Sequence, residues 1–141
     1  MTIKVYIAAS SREVGRVREA QRMVAERGWT LTLDWLTPMM VLIEHGLGDS
    51  DLSRDDQAHA ALQDAEAIDR ADVLWLLAPR ELTKGAWWEH GYAYGTDTQI
   101  VTSGGCPSIF VALSDRVTET DEEAVEYMAT MAAEYRRRRP A

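Results

Sequence analysis

The segment Lys84-Gly85-Ala86-Trp87-Trp88-Glu89-His90-Gly91-Tyr92-Ala93-Tyr94-Gly95 places one carboxylate, Glu89, beside two tryptophans and among three glycines. A carboxylate against indole rings is partly desolvated, and a desolvated carboxylate serves as a nucleophile or a general base. An ordinary surface glutamate on an amphipathic helix is the plainer reading. Gly85, Gly91 and Gly95 weaken it, because glycines at this density are costly in a helix unless backbone or ligand approaches closely. A second carboxylate, Asp64, precedes Glu89 by 25 residues, with Asp69 and Asp72 as rivals. Asp72 opens a strand at the end away from the expected site, where capping or ion pairing is its natural role.

Other polar groups are less specific. Ala8-Ala9-Ser10-Ser11-Arg12 offers two hydroxyls, backbone N–H groups and a guanidinium where a helix begins. Such donors suit an anion, a phosphate above all, although a serine cap beside a solvated arginine accounts for the residues equally simply. His45, His59 and His90 show no metal-ligand spacing, and Cys106 is the single cysteine, so no metal site and no cofactor is expected. Trp75 lies inside an apolar run and reads as core. Trp35, Trp87 and Trp88 fall near the candidate site, where a nucleobase can stack on an indole.

The surrounding pattern predicts the frame that positions these groups. Residues 3–9 read as a buried strand. Val14, Val17, Ala20, Met23 and Val24 share one face of a helix over 13–27, and Gly28 follows as its C-cap. Thr30 to Trp35 alternate as a strand with Leu31 and Leu33 on one face. A short helix at 39–45 and a loop at 46–51 come next, and Ser53 caps a helix running to about Arg70. Residues 72–78 form the clearest buried strand, and Gly85–Gly95 a helix. Strands at 99–102 and 108–113 and a helix from Thr120 or Asp121 through Tyr135 complete the chain. This alternation predicts a parallel sheet with helices on both faces. Ligands then bind at the carboxyl ends of the strands, near the loops Ala9–Gly15, Leu36–Asp51 and Pro79–Gly85. The link Gly104-Gly105-Cys106-Pro107 is short for a parallel crossover, so one of the last two strands is open to reassignment.

Composition narrows the function classes. With 141 residues, 46% of them hydrophobic, the chain forms one domain with a proper core. Its start does not read as a signal peptide, no run is apolar enough to cross a membrane, and the lone cysteine fits a reducing, cytoplasmic setting. The net charge of −8 argues against a polynucleotide partner. The run Arg136 to Arg139 reads as a solvated basic tail spanning 136–141 after a domain of 1–135.

Taken together, Ala71-Asp72-Val73-Leu74, the Gly85–Ala93 segment and the opening Val5-Tyr6-Ile7-Ala8-Ala9-Ser10 resemble the nucleoside 2-deoxyribosyltransferase superfamily. The family pattern is an "AD-V" strand, a variable loop and "G-x-x-x-E-x-G-x-A", after a first strand of the form "I-Y-x-A-G". The resemblance implies a single-domain flavodoxin-like (Rossmann-like) three-layer α/β sandwich with a five-stranded, mostly parallel sheet. It also implies a homodimer and cleavage of an N-glycosidic bond in a small nucleoside or nucleotide. Glu89 falls on the family's nucleophile, and Asp64 on a second carboxylate that protonates the base or positions the sugar. Tyr6, Gly85, Trp35 and Trp88 fall where substrate is held. The 2′-deoxynucleoside 5′-phosphate N-hydrolase branch is the most similar, and its pattern implies that Ser10, Arg12 and Thr83 grip a 5′-phosphate. Ala9 stands where the family has glycine.

An N-glycosidase, as hydrolase or deoxyribosyltransferase, is therefore the leading expectation. A non-catalytic nucleotide-sensing module on the same fold is the alternative, and the presence of both Asp64 and Glu89 argues against it. A flavin-type electron carrier lacks the Ser/Thr-rich phosphate loop after the first strand.

Overall fold

A computed structural model describes residues 2–138. Five strands run parallel in the order β2-β1-β3-β4-β5. They are β1 (Lys4–Ala8), β2 (Thr30–Leu31), β3 (Val73–Leu77), β4 (Gln99–Ser103) and β5 (Arg116–Thr118). The helices are α1 (Val14–Glu26), α2 (Leu36–Glu44), α3 (Arg54–Asp69), α4 (Gly85–Gly95) and α5 (Asp121–Arg138). This is a three-layer α/β sandwich with the flavodoxin-like strand order, and its topological switch point lies between β1 and β3.

Strand alternation divides the core. Val5, Ile7, Val73, Trp75, Leu77 and Val101 point to one face and pack with Val17, Ala20 and Val24 of α1 and Ala124, Val125 and Met128 of α5. Tyr6, Ala8, Leu74, Leu76 and Ile100 point to the other face, against Ala67 and Ile68 of α3 and Ala86 and Ala93 of α4. The central strands are buried on both faces, which explains why they read as continuous apolar runs.

Local signals act as expected at several boundaries. Ser53 Oγ accepts the Asp56 N–H at 3.1 Å and starts α3. Gly28 takes a φ of +67° just beyond α1, a left-handed position that side chains resist. Asp72 Oδ2 accepts the Lys4 N–H at 2.7 Å and ties β3 to β1 at their amino ends, far from the ligand edge. Asp69 accepts the Tyr92 hydroxyl. Both rivals of Asp64 thus serve the scaffold. Among the described residues no helix is long and apolar enough to cross a membrane, and no cluster of His, Cys, Asp and Glu could hold a metal ion.

Four expectations are corrected. Residues 109–113 form a 3-10 helix started by Ser108, whose Oγ accepts the Phe110 N–H, and the fifth strand is Arg116–Thr118. The connection from β4 to β5 thereby has the dozen residues that a parallel crossover requires. The strand expected over Thr30 to Trp35 stops at Leu31. Leu31 then packs with the α1/α5 side while Leu33 turns to the α3/α4 side, so the two do not share a face. The glycines of α4 admit no close backbone, because a Cβ at Gly85, Gly91 or Gly95 meets nothing within 4 Å. α5 continues through Arg138, so the described part of the expected tail, 136–138, is helical; the rest, 139–141, lies outside the described residues.

Candidate active site

Three helices converge on the carboxyl ends of β1 and β3, and each presents one stripe. α2 with its preceding residue offers Trp35, Pro38, Met39 and Leu42; α3 offers Gln57, Ala60, Ala61 and Asp64; α4 offers Gly85, Ala86 and Glu89. The spacings of three, four and seven put each set on one helical face. Together with Ala9 and Ser11 after β1, Thr83 after β3, and Asp49, Ser50 and Leu52, they enclose a cavity of about 700 Å³. All three loops expected at the ligand edge contribute.

The chemistry lies at the cavity floor. Tyr6, on β1, is fully buried on the α3/α4 face, and its hydroxyl donates to Glu89 Oε1 at 2.8 Å. The Tyr6 hydroxyl oxygen also stands 3.3 Å from Asp64 Oδ1. A phenol has one hydrogen, so the shorter contact to Glu89 takes it. Because both carboxylates reach one hydroxyl, their nearest oxygens are no more than about 6 Å apart. Retaining glycosidases hold their carboxyl pairs at about 5 Å.

Burial sets the protonation states. Glu89 is only 8% exposed. Desolvation raises its carboxyl to about 8; the Tyr6 hydrogen bond opposes this and the Asp64 charge adds to it. Asp64 is raised as well, by desolvation and by the charge of Asp49, against the Tyr6 contact. Burial and the two adjacent carboxylates raise the Tyr6 phenol, which stays protonated. The floor therefore holds two carboxyl groups of raised pKa joined through one neutral hydroxyl. Two such groups side by side, one keeping its proton up to about 8, can divide proton transfer and nucleophilic attack between them.

The remaining candidates divide. Trp35 lines the cavity, and its Nε1 donates to Ile7 O at 2.7 Å, which fixes the ring. Thr83 and Gly85 line it too. Ser10 does not: it is buried, and its Oγ accepts the Arg12 N–H at 3.3 Å. Arg12 is not at the cavity either, since its 81% exposed side chain pairs with Glu81 at 3.1 Å. Of Ser10, Arg12 and Thr83, only Thr83 lines the cavity. Trp88 points to solvent, 52% exposed, and stacks on Tyr92 at 5.3 Å. Trp87 packs against His90 and Phe110.

Sequence reasoning had Ser11 as one of two hydroxyls after the first strand but missed Asp49 and the facing stripes of α2 and α3. The apolar spacing of Pro38, Met39 and Leu42 was the available signal. Gln57 also went unnoticed; its amide donates to Asp49 O and Leu52 O and holds the 3-10 turn at Asp49–Asp51 against α3.

No family model matches the chain, and no curated protein matches its sequence. Solved structures do. The 2-deoxyribosyltransferase of Bacillus psychrosaccharolyticus is 17% identical with a TM-score of 0.71, over 88% of this chain and 91% of that one. The CMP N-glycosidase BcmB of Clostridium botulinum is 16% identical with a TM-score of 0.57, over 90% of this chain and 98% of that one. At these identities the likeness establishes a shared fold: this chain has the three-layer architecture on which a deoxyribosyltransferase and an N-glycosidase are built.

Proposed function

We propose that this protein cleaves the N-glycosidic bond of an unphosphorylated 2′-deoxynucleoside and passes the sugar to water or to a second base. The observation that carries the reading is the pair Glu89 and Asp64 on the floor of a cavity with room for a nucleoside, joined from behind by the buried Tyr6 hydroxyl. The two solved structures named above are a 2-deoxyribosyltransferase and a CMP N-glycosidase, which supports glycosyl chemistry on a nucleoside or nucleotide here.

Tyr6 holds Glu89 Oε1 and leaves the second oxygen for attack. Ionised Glu89 adds to the anomeric carbon as the bond from that carbon to the base nitrogen breaks. The bond's electron pair leaves with the base, and Asp64, whose carboxyl is raised, supplies the proton. The sugar is then an ester of Glu89. Water, or the nitrogen of an acceptor base, attacks the same carbon, Glu89 leaves as carboxylate, and Asp64 recovers a proton from the incoming group.

The absence of phosphate from the substrate follows from charge. Asp49, Asp64 and Glu89 line the cavity, and among the described residues no Lys, Arg or His does. A dianionic phosphate there would meet carboxylates without a cation to offset them.

The test is base release from a panel of 2′-deoxynucleosides and their 5′-monophosphates, with and without a free acceptor base, followed by chromatography. The free nucleosides should be turned over faster. Equal or faster release from the monophosphates would overturn the substrate reading, and no release from any compound would overturn the catalytic one.

A further inference from the structure

α4 buries four side chains, Ala86, Glu89, His90 and Ala93. The two alanines share a core cluster with Tyr6, Leu74, Leu76 and Ile100 and offer it one methyl each. A methyl raises no ridge for a groove of the sheet to hold, so this packing sets the rotation of α4 only loosely. Trp87 and Tyr92 pack at the flanks of the helix and stay half-buried. The two large buried side chains of α4 are both polar, and they are adjacent. Glu89 is the group to be placed, and its charge changes as it reacts. That leaves His90 to hold the helix.

His90 has the partners for that role. Its Nε2 stands 3.3 Å from Ser114 Oγ, and Ser114 Oγ stands 2.7 Å from Oγ1 of Thr102, a fully buried residue of β4. Ser114 is itself held, because its N–H donates to Val111 O at 3.0 Å. The next residue, Asp115, donates its N–H to Ile100 O at 2.9 Å and accepts the Ile100 N–H on Oδ2 at 2.7 Å. The imidazole thus ends a three-residue chain that is fixed to β4 at two points. Trp87 meets the ring edge-on at 5.5 Å. Burial lowers the His90 pKa, and among the described residues no carboxylate pairs with it, so the ring is neutral at pH 7. An apolar ring would fill the same space without burying two nitrogens. What the imidazole adds is a bond with a direction, and a buried polar chain of this kind selects one arrangement over its neighbours.

We infer that His90 is a positioning residue: through Ser114 and Thr102 it sets the rotation of α4 on the sheet, and so the place of the Glu89 carboxyl on the cavity floor. Adjacent side chains leave a helix about 100° apart, so α4 cannot turn to relax one without displacing the other. A turn of about 15° carries a side-chain end, roughly 6 Å from the helix axis, through about 1.5 Å. A misplacement of that size costs a reaction on the order of a hundredfold. The kinetic consequence rests on the nucleophile role of Glu89 proposed above; the structural one does not.

Three variants test it. His90→Phe keeps a ring against Trp87 and loses Nε2, Ser114→Ala removes the partner from the other side, and His90→Gln puts an amide nitrogen close to where Nε2 stands. With a deoxynucleoside that the wild type turns over, kcat should fall by about tenfold or more in His90→Phe and in Ser114→Ala, with KM changed by less than about threefold. His90→Gln should keep kcat within about threefold of wild type. The second readout is the titration of the Glu89 carboxyl by carbon-13 NMR, which needs no turnover. A helix that turns lets cavity water reach Glu89, so its midpoint should fall from about 8 toward 4.5 by about one unit or more in His90→Phe and Ser114→Ala, and hold in His90→Gln. An unchanged midpoint in both of the first two variants, each with the circular dichroism of wild type, would overturn the inference. So would a His90→Gln protein as displaced as His90→Phe, which would assign the effect to packing of the ring. If the wild type turns over no nucleoside, the glycosidase reading falls and the titration alone decides the role of His90.

Discussion

Glu89→Gln should stabilise the protein while abolishing turnover, and the gain should grow with pH. In the unfolded chain the Glu89 carboxyl titrates near its ordinary value of 4.5; burial raises it to about 8 in the fold. Between those values the folded protein holds a proton that the unfolded chain has released. The unfolded state then binds fewer protons, so the contribution of Glu89 to stability is present below pH 4.5 and lost as pH rises toward 8. At 1.36 kcal/mol per pH unit, the burden is under about 1 kcal/mol at pH 5 and about 5 kcal/mol once Glu89 is ionised in both states. Glutamine keeps the shape, still accepts the Tyr6 hydroxyl and never ionises. The margin of the variant over wild type should therefore widen by about 4 kcal/mol between pH 5 and pH 9. A chain of this length unfolds with an entropy of about 0.3 kcal/mol/K, so the difference in Tm should widen by roughly 10 °C. Thermal melts followed by circular dichroism at half-unit steps of pH measure it directly. A Tm difference that stays flat across that range would refute the picture of a desolvated carboxyl with a raised pKa. Stability gained where activity is lost is the trade expected of a catalytic group held against its solvation preference.

On the proposed mechanism Glu89 must be ionised while Asp64 holds its proton, so kcat/KM for base release should follow a bell in pH with one break near 8 set by Glu89. Tyr6→Phe removes the hydrogen bond that lowers the Glu89 pKa, so the break in that profile should move to higher pH; a break that stays or moves down would contradict the bridging role. Arg12→Ala should leave the rate ratio of nucleoside to monophosphate within about twofold of wild type, because an exposed pair with Glu81 contributes little and stands outside the cavity. Arg16 donates to Ala78 O at 2.9 Å, Ser103 O at 3.0 Å and the Asp121 carboxylate at 2.8 Å, which clamps the carboxyl ends of β3 and β4 to α5. Arg16→Ala removes the charged partner of part-buried Asp121 and the side-chain donor to Ala78 O, although Ser103 Oγ still donates to Asp121 and the Ala78 N–H to Ser103 O; it should cost about 3 kcal/mol, read as a Tm loss of roughly 10 °C, and a loss under about 3 °C would show that water replaces the clamp.

By itself the sequence determined the layer order and singled out the two carboxyl groups. Helix and strand alternate with clear periodicities, Ser53 and Gly28 mark helix ends, and the runs at β1 and β3 are apolar on both faces because both faces are covered. These are local signals, each contained within one turn or one strand. Glu89 and Asp64 were legible as candidates from their type and setting. What brings them together is the alternation of β1, which sends Tyr6 to the α3/α4 face and Val5 to the other. The period is local, but which face receives it is a property of the whole sheet. The run Ile109-Phe-Val-Ala-Leu has no alternation, so nothing within it separates strand from 3-10 helix, and the crossover length decided the matter in favour of a later strand at Arg116. The setting of Arg12 is tertiary for a related reason: Arg12 and Glu81 are 69 residues apart, and only the folded chain shows that their charges meet at the surface. The cavity itself is likewise tertiary. Each of its three stripes has ordinary helical spacing, and a stripe becomes a wall only when the packing of α2, α3 and α4 leaves a gap between them.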